Sequence, residues 1–423
     1  MGMCHGKCPP TPIPRSYAET AAMTFHISPL QRYTYPVYLS YLCEVEPWIY
    51  LDYAASTPLD PEVEAAMLPY LRATGNPSSI HAAGRSLRTA IEEARTTIAE
   101  LLGADPGQIV FTSGGTEADN HALRGAVEAW SISHILYNPT EHHAVLHTVA
   151  ALAHEGKVQA HPLPIDSVGR VELEALETLL QKYPRSLVAV MYANNEIGTL
   201  QPVHEIAALC QRWEALYLCD TVQVMGLGWV NVQEWPVDFA TASAHKFYGP
   251  KGVGFLYRRK PIRSLLTGGA QEREQRAGTE NVAGIVGMAF ALKKAYEQKD
   301  SYEAHLRQLK AYLLQQIQAS FPQAVLHGDT RPEGSHPGIL NFGLPPSIAD
   351  DMLVLHLDLA GVCVSGTSAC ASGSGHPSHV LQALGLSPEE AQRSLRFSWG
   401  KYTEPHHFDT ALQALQGALS LPT

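Results

Sequence analysis

The spacing of apolar and polar positions from Trp48 onward predicts alternating helices and strands. An amphipathic helix is predicted by apolar residues spaced three to four positions apart, at Leu87, Ile91, Ala94, Ile98 and Leu101. Apolar runs of strand length follow, at Ile109–Thr112, Ile135–Tyr137, Leu187–Tyr192, Leu216–Asp220, Phe239–Ser243 and Gly254–Tyr257. Helix-like stretches such as Val203–Trp213 separate most of these runs. This alternation predicts an α/β domain with a mainly parallel sheet, whose ligands bind at the carboxyl ends of the strands.

The pattern changes after about Asn281 and at the start of the chain. Two long helical segments follow Asn281, and then come the predicted strands Gly338–Phe342, Val362–Ser365 and Leu395–Ser398, with helices near Asp350–Asp358 and Glu404–Leu419. We therefore expect a large domain over residues 61–280 and a smaller α+β domain formed by 47–60 and 281–423. Residues 1–46 are rich in proline and show neither the helical nor the strand period of apolar residues, so we expect a disordered extension.

Composition narrows the classes of function. The chain has 423 residues, of which 45% are hydrophobic and 17% charged, as is usual for globular proteins. Its net charge of −11 argues against a direct nucleic-acid binder, and no apolar run is long enough to cross a bilayer. The 7 cysteines are scattered and odd in number, which favours reduced thiols and a cytoplasmic location. Cys4, His5 and Cys8 offer too few ligands for a closed zinc site, so we predict no metal.

Three polar elements follow predicted strands and suggest chemistry. A glycine-rich turn with Gly115 and Thr116 opens a helix after Ile109–Thr112, where it either binds phosphate or makes a tight, capped turn. Asp220 either pairs with a protonated pyridine nitrogen or caps a helix. Lys246 either forms a Schiff base or is a solvated loop lysine. Together, and in this order, the three elements are typical of a site for pyridoxal 5'-phosphate.

Further motifs make the chain similar to the cysteine desulfurase family from Trp48 to the C terminus. The segments that carry this resemblance are Tyr50–Pro58, Gly75–Ser79, Thr140–Leu146, Asn194–Gly198, Ser243–Gly254, Gly278–Thr279 and Ser368–Ser372. Each motif is weak alone, but the set is specific. The resemblance implies a fold-type I pyridoxal-phosphate enzyme that acts as a homodimer on L-cysteine.

The resemblance also implies residue roles. Lys246 would hold the cofactor, and Asp220 would contact its ring nitrogen. His142 would stack on the ring and move protons. The other implied cofactor contacts are Gly115, Thr116, Ser243 and His245 at the phosphate, Gln223 at the ring hydroxyl, Asn195, and Thr279 from the neighbouring subunit. Arg396, assisted by Asn76 and Asn195, would bind the substrate carboxylate, since a planar guanidinium suits bidentate contacts.

Cys370 is the predicted sulfur acceptor. It lies in a stretch of small residues with little to pack into a core, whereas Cys363 and Cys219 lie in strand-like runs and are expected to be structural. The family activity implies that L-cysteine becomes L-alanine while a persulfide forms on Cys370. That sulfur would pass to an iron–sulfur scaffold, a tRNA-thiolation protein or another acceptor protein.

Alternative functions remain open from the sequence. A selenocysteine lyase or an aminotransferase of the same fold would use the same cofactor residues. A non-catalytic partner for sulfur-carrier proteins would not need the intact set of Lys246, Asp220, His142, Cys370 and Arg396. The sequence therefore favours a desulfurase.

Overall fold

The computed structural model of the chain describes residues 48–345, 352–366 and 377–419. The predictions for the extension 1–46, for the Cys4 cluster and for Cys370 lie outside these residues. The described chain forms three sheets with helices packed around them.

The largest sheet has seven strands in the order β2-β8-β7-β6-β5-β3-β4. Their bounds are β2 Ile109–Thr112, β3 His134–Tyr137, β4 Gln159–Pro162, β5 Ser186–Ala189, β6 Leu216–Asp220, β7 Phe239–Ser243 and β8 Gly254–Arg258. Neighbours from β4 to β7 pair in parallel, while β8 runs antiparallel to both β2 and β7. The predicted α/β fold with a mainly parallel sheet is therefore confirmed. β4 was not predicted, because this edge strand is polar and partly exposed.

Helices cover both faces of this sheet, as parallel sheets require. These helices are α1 Pro61–Arg72, α2 Ala82–Leu102, α3 Gly115–Trp130, α4 His143–His154, α5 Leu173–Lys182, α6 Val203–Arg212 and α7 Val282–Glu297. In α2, the predicted apolar positions Leu87, Ile91, Ala94 and Ile98 are buried in the larger hydrophobic core. The helix ends at Gly103, whose φ of 68° is the left-handed conformation that glycine adopts without strain.

Shorter strands form two smaller sheets. β12 Ser365–Gly366, β13 Ser394–Ser398, β10 Ile339–Gly343 and β9 Val325–His327 make an antiparallel sheet, and β1 Ile49–Tyr50 pairs in parallel with β11 Val362–Cys363. The remaining helices are α8 Lys299–Ser320, α9 Leu353–Leu359, α10 His379–Ala383, α11 Pro388–Gln392 and α12 Pro405–Leu419. The single strand predicted at Val362–Ser365 is two short strands with different partners. The domain boundaries remain a prediction.

Among the described residues, no helix combines the length and the apolar character needed to span a membrane.

Asp60 joins three separate parts of this fold. Its buried side chain accepts a hydrogen bond from the Glu62 amide at 2.8 Å and so caps α1. The same carboxylate pairs with Lys294 of α7 at 3.0 Å and with Lys401, which follows β13. Burial opposes its charge, but Lys401 and Lys294 prevail and lower the pKa of Asp60 to about 2.

We predict that Asp60→Ala lowers the free energy of unfolding by about 3 kcal/mol at pH 7, the usual cost of removing one partner of a buried ion pair. Asp60→Asn keeps an oxygen that can cap α1, so its free energy of unfolding is expected to fall less than that of Asp60→Ala. Asp60 has a pKa near 2 when folded and about 3.9 when unfolded, so its contribution is present above pH 4 and lost as pH falls towards 2. Urea denaturation between pH 3 and 7 tests this. An Asp60→Ala variant as stable as wild type at pH 7 contradicts it.

Candidate active site

Lys246 lies directly after β7, in a short 3-10 turn at Ala244–Lys246. Its Nζ atom donates hydrogen bonds to the carbonyl oxygens of Ala54 and, at 3.0 Å, Ala55. Burial, followed by the nearby charge of Arg396, lowers the pKa of Lys246 from 10.5 to about 8, although Asp220 and Asp52 act in the opposite direction. A far larger fraction of this amine is neutral near pH 7 than of an ordinary lysine, which makes it a better nucleophile.

Asp220 ends β6, the strand next to β7, and is 7% exposed. Its Oδ1 atom accepts from the Val222 amide at 2.9 Å and from the Thr241 hydroxyl at 3.3 Å. Both donors fix the orientation of the carboxylate at the carboxyl edge of the sheet, where Lys246 also lies.

Two further carboxyl groups near Asp220 were not predicted from the sequence. Asp119 of α3 and Glu141, just before α4, are each 1% exposed, and one oxygen of each is buried without a hydrogen bond from the described residues. Burial, reinforced by the charge of Asp220, raises the pKa of both groups well above the usual range. Asp119 follows the glycine-rich turn with Gly115 and Thr116, and Glu141 lies in a segment that carries the family resemblance, but neither motif reveals burial. Their proximity makes Asp220 part of a group of three carboxyls.

A glycine-lined backbone surface lies at the start of α3. Gly114 caps this helix with a φ of 155°, and a Cβ atom on Gly115 would approach Val222 Cγ2 to 2.8 Å. A Cβ on Gly114 would lie 3.5 Å from the Ser243 hydroxyl oxygen, so both glycines keep the strand ends close to the helix N terminus. Thr116 is exposed in the first turn. Backbone amides and a hydroxyl so arranged suit a phosphate group.

His245 lies beside this surface. Its Nδ1 atom is 3.3 Å from the hydroxyl oxygen of Ser56. Burial, and then the charges of Lys246 and Lys251, lower the pKa of His245 to about 4. His245 is therefore neutral at pH 7 and can give one ring N–H to an anion.

His142 precedes α4 and caps it, because its Nδ1 atom accepts from the Ala144 amide at 3.1 Å. This bond leaves the proton of the neutral ring on Nε2. The side chain of His142 is exposed to solvent. Desolvation by the surrounding protein nevertheless lowers the pKa of His142, and so does the charge of Lys246, whereas the charge of Asp220 raises it. A neutral imidazole of fixed orientation is suited to proton transfer.

Arg396 lies in the middle of β13 and is 7% exposed. Its guanidinium is already engaged: Nη2 donates to Asp52 Oδ1 at 2.6 Å and to the Ser365 hydroxyl oxygen at 2.8 Å. Nη1 donates to the carbonyl oxygen of Asn195 at 2.9 Å. The structure thus places Arg396 beside the main chain of Asn195 and adds Asp52 as a partner that the sequence analysis missed, while the predicted roles of Arg396 and Asn195 stay predictions.

The remaining predicted residues differ in their placement. Gln223 donates to the carbonyl oxygen of Ala54 at 3.1 Å, next to Lys246. Asn76 accepts from the Ser78 amide at 2.9 Å within a local turn before α2, and Thr279 is exposed in the segment before α7. No described contact joins Asn76 or Thr279 to Lys246, so their roles stay predictions.

The groups at this sheet edge fit pyridoxal phosphate. The glycine-lined start of α3 with Ser243 suits the phosphate, Asp220 suits a protonated ring nitrogen, and a partly neutral Lys246 suits the aldehyde. His142 provides a flat ring for stacking. Each chemical feature of the cofactor therefore has a complementary group in the described structure.

Comparisons with known proteins agree with this fit. Residues 49–409 match the model of the family described as aminotransferase class-V. "Cysteine desulfurase IscS" of Dictyoglomus turgidum is 44% identical over 374 residues, which cover 87% of this chain and 93% of that protein. A solved structure named "NIFS-LIKE PROTEIN" superposes with a TM-score of 0.81 at 36% identity, covering 88% of this chain and 99% of the other. A structure titled "SspA in complex with cysteine" has a TM-score of 0.72 at 30% identity and covers 84% and 99%.

The class-V aminotransferases and the cysteine desulfurases among them depend on pyridoxal phosphate, the cofactor that the site fits. The chain belongs to the class-V aminotransferase family and, within it, to the cysteine desulfurases.

Proposed function

We propose that this chain converts L-cysteine to L-alanine and carries the released sulfur as a persulfide on Cys370. The observation that supports this most is Lys246, a half-buried amine whose pKa is lowered by desolvation and by the charge of Arg396 and raised by that of Asp220. An amino acid needs an amine-exchange site and a carboxylate site close together. The cysteine bound by the relative SspA supports the choice of substrate.

The cofactor, when bound, withdraws electrons from the substrate α-carbon. Lys246 would hold it covalently, Asp220 would pair with its ring nitrogen, and Gly115, Thr116, Ser243 and His245 would bind its phosphate. His142 would stack on the ring, and Gln223 and Asn195 would contact the cofactor. Thr279 of a second copy would add a phosphate contact.

Arg396, with Asn195 and Asn76, orients the substrate through its carboxylate. When it is not bound to the cofactor, the Nζ atom of Lys246 would move the α proton of the substrate, because a pKa of about 8 keeps part of the amine neutral near pH 7. His142 holds a proton at Nε2 for transfer to or from the substrate thiol.

Cys370 acts as the sulfur nucleophile. Its thiolate attacks the substrate sulfur, an S–S bond forms, and the C–S bond breaks with its electron pair going to carbon. A proton completes L-alanine, so one L-cysteine and one thiol give one L-alanine and one persulfide. An iron–sulfur scaffold or another acceptor protein then takes the outer sulfur.

We also propose a cytoplasmic location. Cys210 and Cys219, two buried cysteines in the described part of the chain, are free thiols, as expected in a reducing compartment. Cell fractionation tests this, and recovery of the chain in an exported fraction contradicts it.

We predict that Cys370→Ala lowers L-alanine formation from L-cysteine by about 10³-fold or more, as loss of a nucleophile does in other enzymes. The variant is expected to keep the absorbance of the bound cofactor, because Cys370 does not hold it. Cys363→Ala, which removes a different cysteine side chain, in β11, is the control and should stay active. Equal rates for Cys370→Ala and wild type would exclude the persulfide step. Activity with selenocysteine but not with L-cysteine would indicate a selenocysteine lyase.

We predict that cofactor uptake by the cofactor-free protein follows the titration of Lys246. The rate should rise about tenfold per pH unit below 8 and level off above it, because only the neutral amine reacts. Stopped-flow absorbance from pH 6.5 to 10 measures this. Arg396→Gln removes a charge that lowers this pKa, so its midpoint should shift upward. A wild-type rate that still rises at pH 10 contradicts the prediction.

We predict that the chain is a homodimer. Thr279 is exposed, and so are Leu71 and Phe290 on α1 and α7, two helices that pack together. Light scattering should give twice the mass of the chain. Thr279→Ala should weaken cofactor binding about tenfold, the effect of losing one hydrogen bond to a charged group. A monomeric mass for the wild-type chain contradicts the prediction of a homodimer. Cofactor binding by Thr279→Ala that is as tight as in wild type contradicts the role of Thr279.

A further inference from the structure

The guanidinium of Arg396 has few N–H groups left for a ligand. Nη2 donates to Asp52 Oδ1 and to the Ser365 hydroxyl oxygen, and Nη1 donates to the Asn195 carbonyl oxygen. Nε is buried without a hydrogen-bond partner among the described residues. A carboxylate that binds arginine in a bidentate manner takes two parallel N–H groups. A substrate carboxylate therefore has to replace at least one of these contacts.

Asp52 is the contact that matches the substrate chemically. It is the one carboxylate among the partners of Arg396, and its Oδ1 atom lies 2.6 Å from Nη2. The other partners are a hydroxyl and a backbone carbonyl, which a carboxylate replaces less directly.

The Asp52 carboxylate can stay solvated and hydrogen-bonded when it leaves Arg396. Its side chain is 19% exposed, against 9% for Arg396, so solvent reaches the carboxylate more easily than the guanidinium. The Ser365 hydroxyl donates to Asp52 Oδ1 at 2.8 Å and can keep doing so. Exchange therefore does not bury an unpaired charge, which is the costly outcome when an ion pair opens.

We propose that Asp52 holds Arg396 in the ligand-free protein in place of the substrate carboxylate, and that an incoming carboxylate exchanges with it. This inference rests on the proposed role of Arg396 as the substrate carboxylate site. It makes Asp52 a specificity residue, because a ligand without a carboxylate cannot substitute for Asp52 on Arg396.

The exchange predicts a competition that can be measured without turnover. Apparent affinity for a carboxylate ligand is lowered by the fraction of protein in which Asp52 occupies Arg396. Removing the charge of Asp52 removes the competitor. Asp52→Asn in the cofactor-loaded protein should therefore bind L-alanine, the reaction product, about threefold to tenfold more tightly. L-Alaninamide lacks the carboxylate, so its affinity should not change.

Calorimetric titration with both ligands compares wild type and Asp52→Asn with three further variants. Asp52→Glu keeps a competing charge and should bind L-alanine no more tightly than wild type. Glu128→Gln removes one exposed carboxylate on α3, outside the site, and is the matched control for loss of charge. Arg396→Gln should abolish the preference for L-alanine over L-alaninamide.

A second measurement uses the cofactor-free protein. The charge of Asp52 raises the pKa of Lys246, so Asp52→Asn should move the midpoint of cofactor uptake below pH 8. A change in fold stability alone would not shift this midpoint.

The outcomes separate the inference from the proposed function. If Asp52→Asn weakens L-alanine binding or leaves it unchanged, Asp52 orients Arg396 and does not compete with the ligand, and the inference fails. If Arg396→Gln leaves L-alanine binding intact, Arg396 is not the carboxylate site, and the proposed role of Arg396 fails whatever Asp52→Asn does.

Discussion

One short segment, Leu51–Asp60, connects the two sheets that carry the site. On one side, the Ala54 amide donates to the Ser398 hydroxyl oxygen at 2.9 Å, and the Ser398 amide donates to the Leu51 carbonyl oxygen at 2.8 Å, next to Arg396. On the other side, the Thr57 amide donates to the His245 carbonyl oxygen at 2.8 Å, and the carbonyl of Ala54 accepts from Lys246. These bonds tie the amine site to the carboxylate site and help to set the distance between them.

Charge is balanced differently on the two sides of the site. Near Asp220, burial leaves Asp119 and Glu141 with raised pKa values, so these carboxyls resist ionisation next to Asp220. Near Lys246, burial and then the positive charge of Arg396 lower the pKa of the amine, while Asp220 and Asp52 limit this effect. Asp52 therefore influences both the guanidinium that it contacts and the basicity of Lys246.

The strands of the large sheet were predicted well from the sequence because they are buried on both faces. Ile109–Thr112, Leu216–Asp220 and Phe239–Ser243 have the predicted bounds. Such strands consist of continuous apolar runs, which are visible locally. Lys246 and Asp220 were predicted because they come directly after or at the end of such runs. By contrast, β4 and β12 are short and not apolar throughout, and only their pairing partners make them strands.

The sequence by itself determined the fold class, the family and the residue types of the site, because these depend on local patterns and motifs. Only the tertiary structure decided how the residues are paired. Asp52 and Arg396 are 344 positions apart and meet because β13 runs beside the Leu51–Asp60 segment. Burial of Asp119 and Glu141, and the lowered pKa of Lys246, likewise arise from neighbours that are distant in the chain. Electrostatic interactions depend on distance and desolvation in space, and neither quantity can be read from sequence order.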